Sequence, residues 1–395
     1  MFCQVQEWQE KAAKLSDVDF ANTIENLTTI APSPKLSNIQ SWKSDKLLTS
    51  ASVYQEITTW NTYTQPKRTG VITKMDIMLQ SQKVPVYIYI PTNYKSDRPT
   101  KLLIYYRGGW MSRKEYPENI AKEIVLENPT FSMLDKYNVI EVYPALKQDL
   151  AIYGMFGYAH LRKIVAATKK QLNIDDNKVY LAGFSDGGRT VLNIAYLAPT
   201  AYAAFFTING TINNSNAYFP NFSNRKLVSF MAENDGIVDY RYMTSMAQKS
   251  QEWNADWILY MLKDKPHFYY PYASQILPVL FAHIKNSTRN PYPNTITYHK
   301  AYDYEEFTNI DWLGLKVNTK KTKEKWHYER ATSIVLNKEK TDTFVYGENI
   351  AQVEAHYFNN TFTVKVSLVE EVDIYISPLM VNMTMPVVIQ VNGKI

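Results

Sequence analysis

The sequence predicts an α/β protein: a mostly parallel sheet with helices on both faces, followed by a small β-sandwich-like domain. Three observations predict it. Short apolar strands alternate with amphipathic helical stretches from about Val86 to Lys285. Within that alternation, one strand runs directly through Gly183-Phe184-Ser185-Asp186-Gly187 into a helix. Beyond Asn290-Pro-Tyr-Pro293 the hydrophobic period changes to two.

The elements follow in order. After Ser16, a capping residue with Asp19 three positions on, Phe20, Ile24 and Leu27 recur at helical spacing until Ala31-Pro-Ser-Pro34 stops them. From Lys35 to about Gly70 only scattered aromatics stand out, Trp42, Tyr54, Trp60 and Tyr63, so residues 1–69 read as a helical and irregular lead-in. Residues 70–294 form the α/β domain. Its strands are Val86–Ile90, Lys101–Tyr106, Val139–Tyr143, Lys178–Ala182, Ala203–Ile208, Lys226–Met231 and Trp257–Leu262. Its helices lie over Pro117–Glu127, Gly157–Leu172, Gly188–Leu197, Tyr242–Trp253 and Tyr272–His283. Residues 295–395 are the β domain. There Val353–Tyr357, the turn Asn359-Asn360 and Thr361–Val366 read as a hairpin, because asparagine tolerates positive φ. Val372–Ile376 and Val387–Val391 add strands, and no fixed-period repeat is present.

Composition narrows the function classes. In 395 residues, 45% are hydrophobic and 21% charged, as expected of a packed globular chain. The net charge of +5 is spread along the sequence, which argues against a nucleic-acid partner. Its one basic cluster, Lys320, Lys321, Lys323 and Lys325, alternates with Thr and Glu and reads as a solvated face. Cys3 is the only cysteine, so no intrachain disulfide forms, and no Cys/His group has zinc spacing. No apolar run approaches the roughly 18 to 20 residues that cross a bilayer. Sequons at Asn26, Asn209, Asn213, Asn221, Asn286, Asn359 and Asn382 do not settle the compartment.

The chemistry-bearing motif is the glycine-flanked Ser185. Glycines at 183 and 187 allow a sharp strand-to-helix turn that lifts a serine hydroxyl clear of a sheet. A serine hydroxyl needs a base, and the base needs an orienting carboxylate. Asp235, in the turn after the strand Lys226–Met231, is the first choice for the carboxylate, with Asp239 and then Glu233 behind it. His267, in the loop after Trp257–Leu262, is the base of choice. His283 sits in an apolar helical stretch, and His299, His327 and His356 belong to the β domain. The developing oxyanion needs backbone N–H donors, expected from Asp186 and from Gly109 or Trp110 in the loop Arg107-Gly108-Gly109-Trp110.

On these motifs, residues from about Val86 to Ile284 resemble the α/β-hydrolase superfamily, nearest to bacterial carboxylesterases of the dienelactone-hydrolase and prolyl-oligopeptidase-related groups. The resemblance implies a Ser185-Asp235-His267 triad, acyl transfer through an acyl-enzyme, and no cofactor or metal. Arg107 departs from the histidine that many relatives carry there. The segment from Asp311 to Lys394 is similar to C-terminal β domains attached to some secreted bacterial hydrolases. A bacterial periplasmic or secreted enzyme acting on a small-molecule or glycan-linked ester is therefore the expectation, with oligomeric state left open. Two rivals stand beside it: a serine peptidase of the prolyl-oligopeptidase-related type, and a non-catalytic glycan-binding or adhesion protein using Trp312, Trp326 or Tyr357.

Overall fold

The computed structural model describes residues 14, 25–26, 62–79, 82–116, 120–127, 129–148, 155–212, 216–300, 309–317, 330–336, 339–344 and 350–395. Cys3, the expected helix around Phe20, the anchors Trp42, Tyr54 and Trp60, the lysine cluster from Lys320 to Lys325, Trp326 and His327 lie outside the described residues. The chain divides into two compact units. One comprises Met1–Leu102, Tyr116–Ala145 and Ala159–Asp175; the other comprises Leu103–Glu115, Leu146–Tyr158 and Asp176–Ile395. Among the described residues, no helix is long and apolar enough to cross a membrane.

In the first unit, strands β1 (Glu25–Asn26), β2 (Ile72–Leu79) and β3 (Gln82–Tyr89) lie side by side, β1 parallel and β3 antiparallel to β2. Glu25 and Asn26 fall in the run expected to be helical. They pair instead with Thr73 and Lys74, because an edge strand offers open backbone groups that a passing segment satisfies. β2 is a strand the sequence reading passed over. Its signal is alternation, with Met75, Ile77 and Leu79 buried and Lys74, Asp76 and Met78 pointing outward. β4 (Thr100–Tyr106) starts in this unit and ends in the other. Helices α1 (Ile120–Glu127) and α2 (Phe131–Tyr137) lead to β5 (Val139–Pro144), which pairs antiparallel with β3. α3 (Met155–Gln171) and β6 (Ile174–Phe184) then carry the chain onward.

Among the charge-capable groups this unit buries are Glu141 and His160. Glu141 is fully buried on β5, where the Thr130 hydroxyl (2.7 Å) and the Tyr143 hydroxyl both donate to Oε2. Burial pushes its carboxyl up to about 7, against the smaller opposing effect of those two donors. His160 is also buried, and burial, helped by nearby Lys163, holds its imidazole down to about 4. The two act on stability with opposite sign. Glu141 favours the fold fully below pH about 4.5, and that contribution is lost as pH rises to about 7. His160 favours the fold above pH about 6.5 and loses that contribution as pH falls to about 4. Each is worth on the order of 3 kcal/mol, so they nearly offset between pH 4.5 and 6.5. The Glu141 and His160 contributions to the urea midpoint should therefore cancel across that window in the wild type. Urea midpoints of Glu141→Gln should climb with pH relative to those of the wild type, and parallel profiles for the two proteins would refute the assignment.

In the second unit, β6, β7 (Ala204–Ile208), β8 (Lys226–Ala232) and β9 (Trp257–Leu262) lie in chain order and all run parallel. Every residue of β7 is buried, as a strand covered on both faces requires. Crossovers pass through α4 (Asp186–Leu197), a 3-10 segment at Asn216–Asn224, and α5 (Tyr240–Ser250), and α6 (Ala273–Asn286) follows β9. A strand and crossover alternation with a serine at the β6–α4 turn is the α/β-hydrolase fold.

The remaining strands are β10 (Thr295–Lys300), β11 (Asn309–Ile310), β12 (Leu313–Val317), β13 (Arg330–Leu336), β14 (Glu339–Phe344), β15 (Ala351–Phe358), β16 (Thr361–Ser367), β17 (Val369–Ile374) and β18 (Val388–Val391). They form one sheet of order β10-β15-β16-β18, another of order β11-β12-β17, and the β13–β14 hairpin. Ile296, Val353 and Phe362 of the first sheet share a core with Trp312 and Leu315. Asn359 (φ 46°) and Asn360 (φ 60°) form the expected two-residue turn between β15 and β16. Trp312 is buried, its indole N–H donating to the Pro293 carbonyl at 2.8 Å, so it presents no face to a glycan.

The β strands are tied to the parallel sheet by buried polar contacts. Asp311, whose side chain is fully buried, accepts from Arg225 and from Arg289 (3.3 Å). The Asn221 amide donates to the Tyr196 and His299 carbonyls at 2.7 and 2.8 Å and accepts from His299 N–H at 2.6 Å. This sequon is therefore a structural asparagine. Removing one partner of a buried ion pair leaves an uncompensated charge, which costs about 3 to 5 kcal/mol. Asp311→Asn should lower the unfolding free energy by about that amount, read from urea titration.

Candidate active site

All the candidate site residues belong to the second unit. Ser185 sits between β6 and α4 with φ 54° and ψ −118°, a conformation a serine rarely adopts and one that costs about 1–3 kcal/mol. Its N–H donates to the Ile208 carbonyl (2.9 Å), and its carbonyl accepts from Arg189 N–H (2.9 Å), which fixes the turn from both sides. The turn fits only because Gly187 lacks a side chain. A Cβ there would lie 2.0 Å from the Tyr106 carbonyl oxygen, and one on Gly183 would lie 2.3 Å from the Gly187 carbonyl.

His267 follows β9, in the loop that Lys265, Pro266 and Phe268 complete. Its Nε2 is 2.9 Å from Ser185 Oγ and its Nδ1 is 2.7 Å from Asp235 Oδ2. A carboxylate only accepts, so Nδ1 carries the ring proton and Nε2 is left to accept from the serine hydroxyl. The Asp235 side chain is fully buried, and its Oδ1 accepts from the N–H groups of Ile237 (2.8 Å) and Val238 (2.9 Å). Three donors thus converge on that carboxylate. The structure brings Ser185, His267 and Asp235 together as a continuous hydrogen-bonded chain.

The other candidates are occupied elsewhere. Asp239 caps α5 and pairs with Arg241 (2.8 Å), whose hydrogen bond holds the carboxyl below its usual pKa despite some opposing burial. Glu233 accepts from Asp264 N–H at 3.0 Å in an exposed turn. His283 lies 3.1 Å from the Tyr260 hydroxyl, and desolvation holds its imidazole below the usual value. His299 is buried within the β strands, and His356 is exposed on β15.

Asp186 is the first residue of α4, directly beside the serine. Gly108 packs onto the turn so closely that a Cβ on it would lie 2.9 Å from Ser185 Cβ. Gly109 then takes φ 70°, a left-handed conformation, and starts the 3-10 turn Trp110–Ser112, with Trp110 buried. The Gly-Gly pair therefore serves two needs, close approach at Gly108 and a left-handed turn at Gly109. Around His267, the Phe184 ring packs at centroid distances of 5.1 Å from the imidazole and 5.1 Å from Tyr269. Tyr269 in turn shares a 2.9 Å hydroxyl contact with Tyr105. Two apolar side chains next to the triad face solvent, Phe268 (61% exposed) and Ile237 (70%).

Sequence reasoning missed Asn209 and Tyr272. Asn209 was visible only as a sequon, yet it is fully buried, with φ 47°. The signal that could have found it is an Asn-Gly pair at the end of a buried strand, where asparagine tolerates the left-handed region.

No family model matches the chain, and no curated protein matches it. Among solved structures it is similar to a thermostable esterase, at 16% identity and TM-score 0.46, over 55% of this chain and 63% of that one. It is similar also to a dipeptidyl aminopeptidase IV-like protein from Bacteroides ovatus, at 11% identity and TM-score 0.45, over 55% and 36%. A third is S-formylglutathione hydrolase from Staphylococcus aureus, at 12% identity and TM-score 0.46, over 56% and 100%. The chain thus spans less than two thirds of the length of the first two.

Gly187→Ala forces a methyl group against the Tyr106 carbonyl, so either the Ser185 turn or the end of β4 must shift. A displacement of about 1 Å at a reacting group costs on the order of 10²-fold in rate. Labelling of Gly187→Ala by a fluorophosphonate should slow by at least that factor at saturating folded protein.

Proposed function

We propose that this chain is a serine hydrolase that cleaves carboxylic esters through an acyl-enzyme. The observation that carries the reading is the unbroken relay from Ser185 Oγ through His267 to Asp235, at 2.9 and 2.7 Å. His267 Nε2 takes the hydroxyl proton as Ser185 Oγ attacks the ester carbonyl, and Asp235 balances the imidazolium that forms. The tetrahedral oxyanion is held by backbone N–H groups, those of Asp186 and of Gly109 or Trp110. His267 then returns the proton to the departing alkoxide, leaving an acyl group on Ser185. Water, deprotonated by the same imidazole, releases the acid and restores the hydroxyl.

The exposed Phe268 and Ile237 support an uncharged, apolar portion of the substrate beside the triad. Esters carried on carbohydrate, in an exported bacterial enzyme, are the finer form of this reading. The same relay can open an amide, so the assay must separate the two bond types.

Turnover of p-nitrophenyl esters of graded chain length, run beside aminoacyl-nitroanilides and an acetylated oligosaccharide, makes that separation. Ester turnover should exceed nitroanilide turnover, and Ser185→Ala should remove it by at least about 10⁴-fold with the thermal unfolding profile retained. Undiminished hydrolysis by Ser185→Ala would discard the proposal.

A further inference from the structure

We infer that Asn209 is a positioning residue for the catalytic histidine, acting with Tyr272 as a clamp on the loop that carries it; this rests on the hydrolase reading of Ser185, His267 and Asp235. Asn209 lies just past β7, between the ends of β6 and β8. Its Nδ2 donates to the His267 carbonyl oxygen at 2.6 Å and to the Tyr272 hydroxyl at 3.2 Å. The Tyr272 hydroxyl donates to the Pro266 carbonyl at 2.5 Å. Two successive carbonyls of the histidine loop are therefore gripped from one side. Oδ1 of Asn209 accepts from Ala232 N–H (2.8 Å), at the end of the strand leading to Asp235, and its own N–H donates to the Phe230 carbonyl (2.8 Å).

The neighbouring residue completes the arrangement, since the Ile208 carbonyl accepts from Ser185 N–H. The two residues Ile208 and Asn209 thus touch the main chain of Ser185, of His267 and of Ala232, three residues before Asp235. Asn209 has both side-chain hydrogens and its carbonyl engaged, with no exposure to solvent. Its φ of 47° suits asparagine or aspartate better than a residue of another shape. Gly210 follows because a Cβ there would come within 2.8 Å of Gly188 in α4. An imidazole that must meet Ser185 Oγ within hydrogen-bond distance gains its fixed location from this clamp on its main chain. The clamp adds to the ring's contacts with Asp235, the Phe184 face and, edge to face, the largely exposed Phe268.

Asn209→Asp is the direct test, because it keeps the shape, the left-handed tolerance and the acceptor for Ala232 while replacing the donor that faces the His267 carbonyl. Tyr272→Phe is the second variant, removing only the hydroxyl that holds Pro266. With a p-nitrophenyl ester, kcat should fall on the order of 10²-fold for Asn209→Asp and about tenfold for Tyr272→Phe. KM should stay within about threefold, and the rate constant for fluorophosphonate labelling should fall in parallel with kcat. Wild-type kcat per labelled site in both folded variants would overturn the clamp, as would losses explained wholly by a smaller labelled fraction. If Asn209→Asp does not fold, Tyr272→Phe alone decides. A wild type that is neither labelled nor active refutes the hydrolase reading itself, a result distinct from active variants, which refute only the clamp.

Discussion

The geometry at Ser185 depends on a backbone conformation that the chain would not hold if left to itself. A serine at φ 54° and ψ −118° stores about 1–3 kcal/mol, and the surrounding structure must exceed that. It does so by ordinary packing. Val179, Tyr180, Leu181 and Ala182 on one side of the turn and Val191 and Leu192 on the other are essentially without solvent contact. Each large apolar side chain buried contributes about 1.5–3 kcal/mol, so a few of them on β6 and α4 outweigh the strain. Gly187 then admits the Tyr106 carbonyl into the space a methyl would fill. Strain, close backbone approach and hydroxyl presentation are one constraint seen from three directions.

Three polar side chains in the second unit have their hydrogen-bonding groups fully engaged. Asp235 receives three donors, Asn209 uses both amide hydrogens and its oxygen, and Asn221 does the same against the β strands. Buried amides of this kind are expensive unless every valence is met, and once met they define a single geometry. The side chains nearest the reacting atoms are accordingly those with the least freedom. Phe268 and Ile237 are the contrast, side chains adjacent to the triad yet largely surrounded by solvent.

Much of this was legible in the linear text, and the physical reasons are specific. The second half of β6, β7 and most of β8 are nearly pure apolar runs because parallel strands in a sheet's interior are covered on both faces, and such runs announce themselves. The serine turn was legible because it demands glycine at fixed offsets. His267 and Asp235 could be ranked first because their positions fall in turns just past strand ends at one edge of a parallel sheet. What stayed hidden was whatever depends on partners far apart in sequence. β2 mixes Thr, Lys and Asp with its buried Met75 and Ile77, so its period of two is short and weak. Asn209 offered only a sequon, and its side chain's partners are the His267 and Ala232 main chain and the Tyr272 hydroxyl, 58, 23 and 63 residues away. Asp311 marked only the start of the C-terminal segment in the sequence, and its pairing with Arg225 and Arg289 is a feature of the folded chain alone.

That last junction bears on how the chain's parts can be rearranged. Arg225 stands at the head of β8, inside the hydrolase pattern, while its counter-charge comes from the C-terminal strands. Asn221 likewise reaches across to the His299 main chain. A gene fragment ending near residue 294 would therefore expose two guanidinium groups and an amide built for enclosure, not a ready-made surface. The C-terminal strands behave less like a detachable accessory than like the closing course of the parallel sheet's own masonry, and a shortened chain would need new residues at 221, 225 and 289 before it could stand by itself.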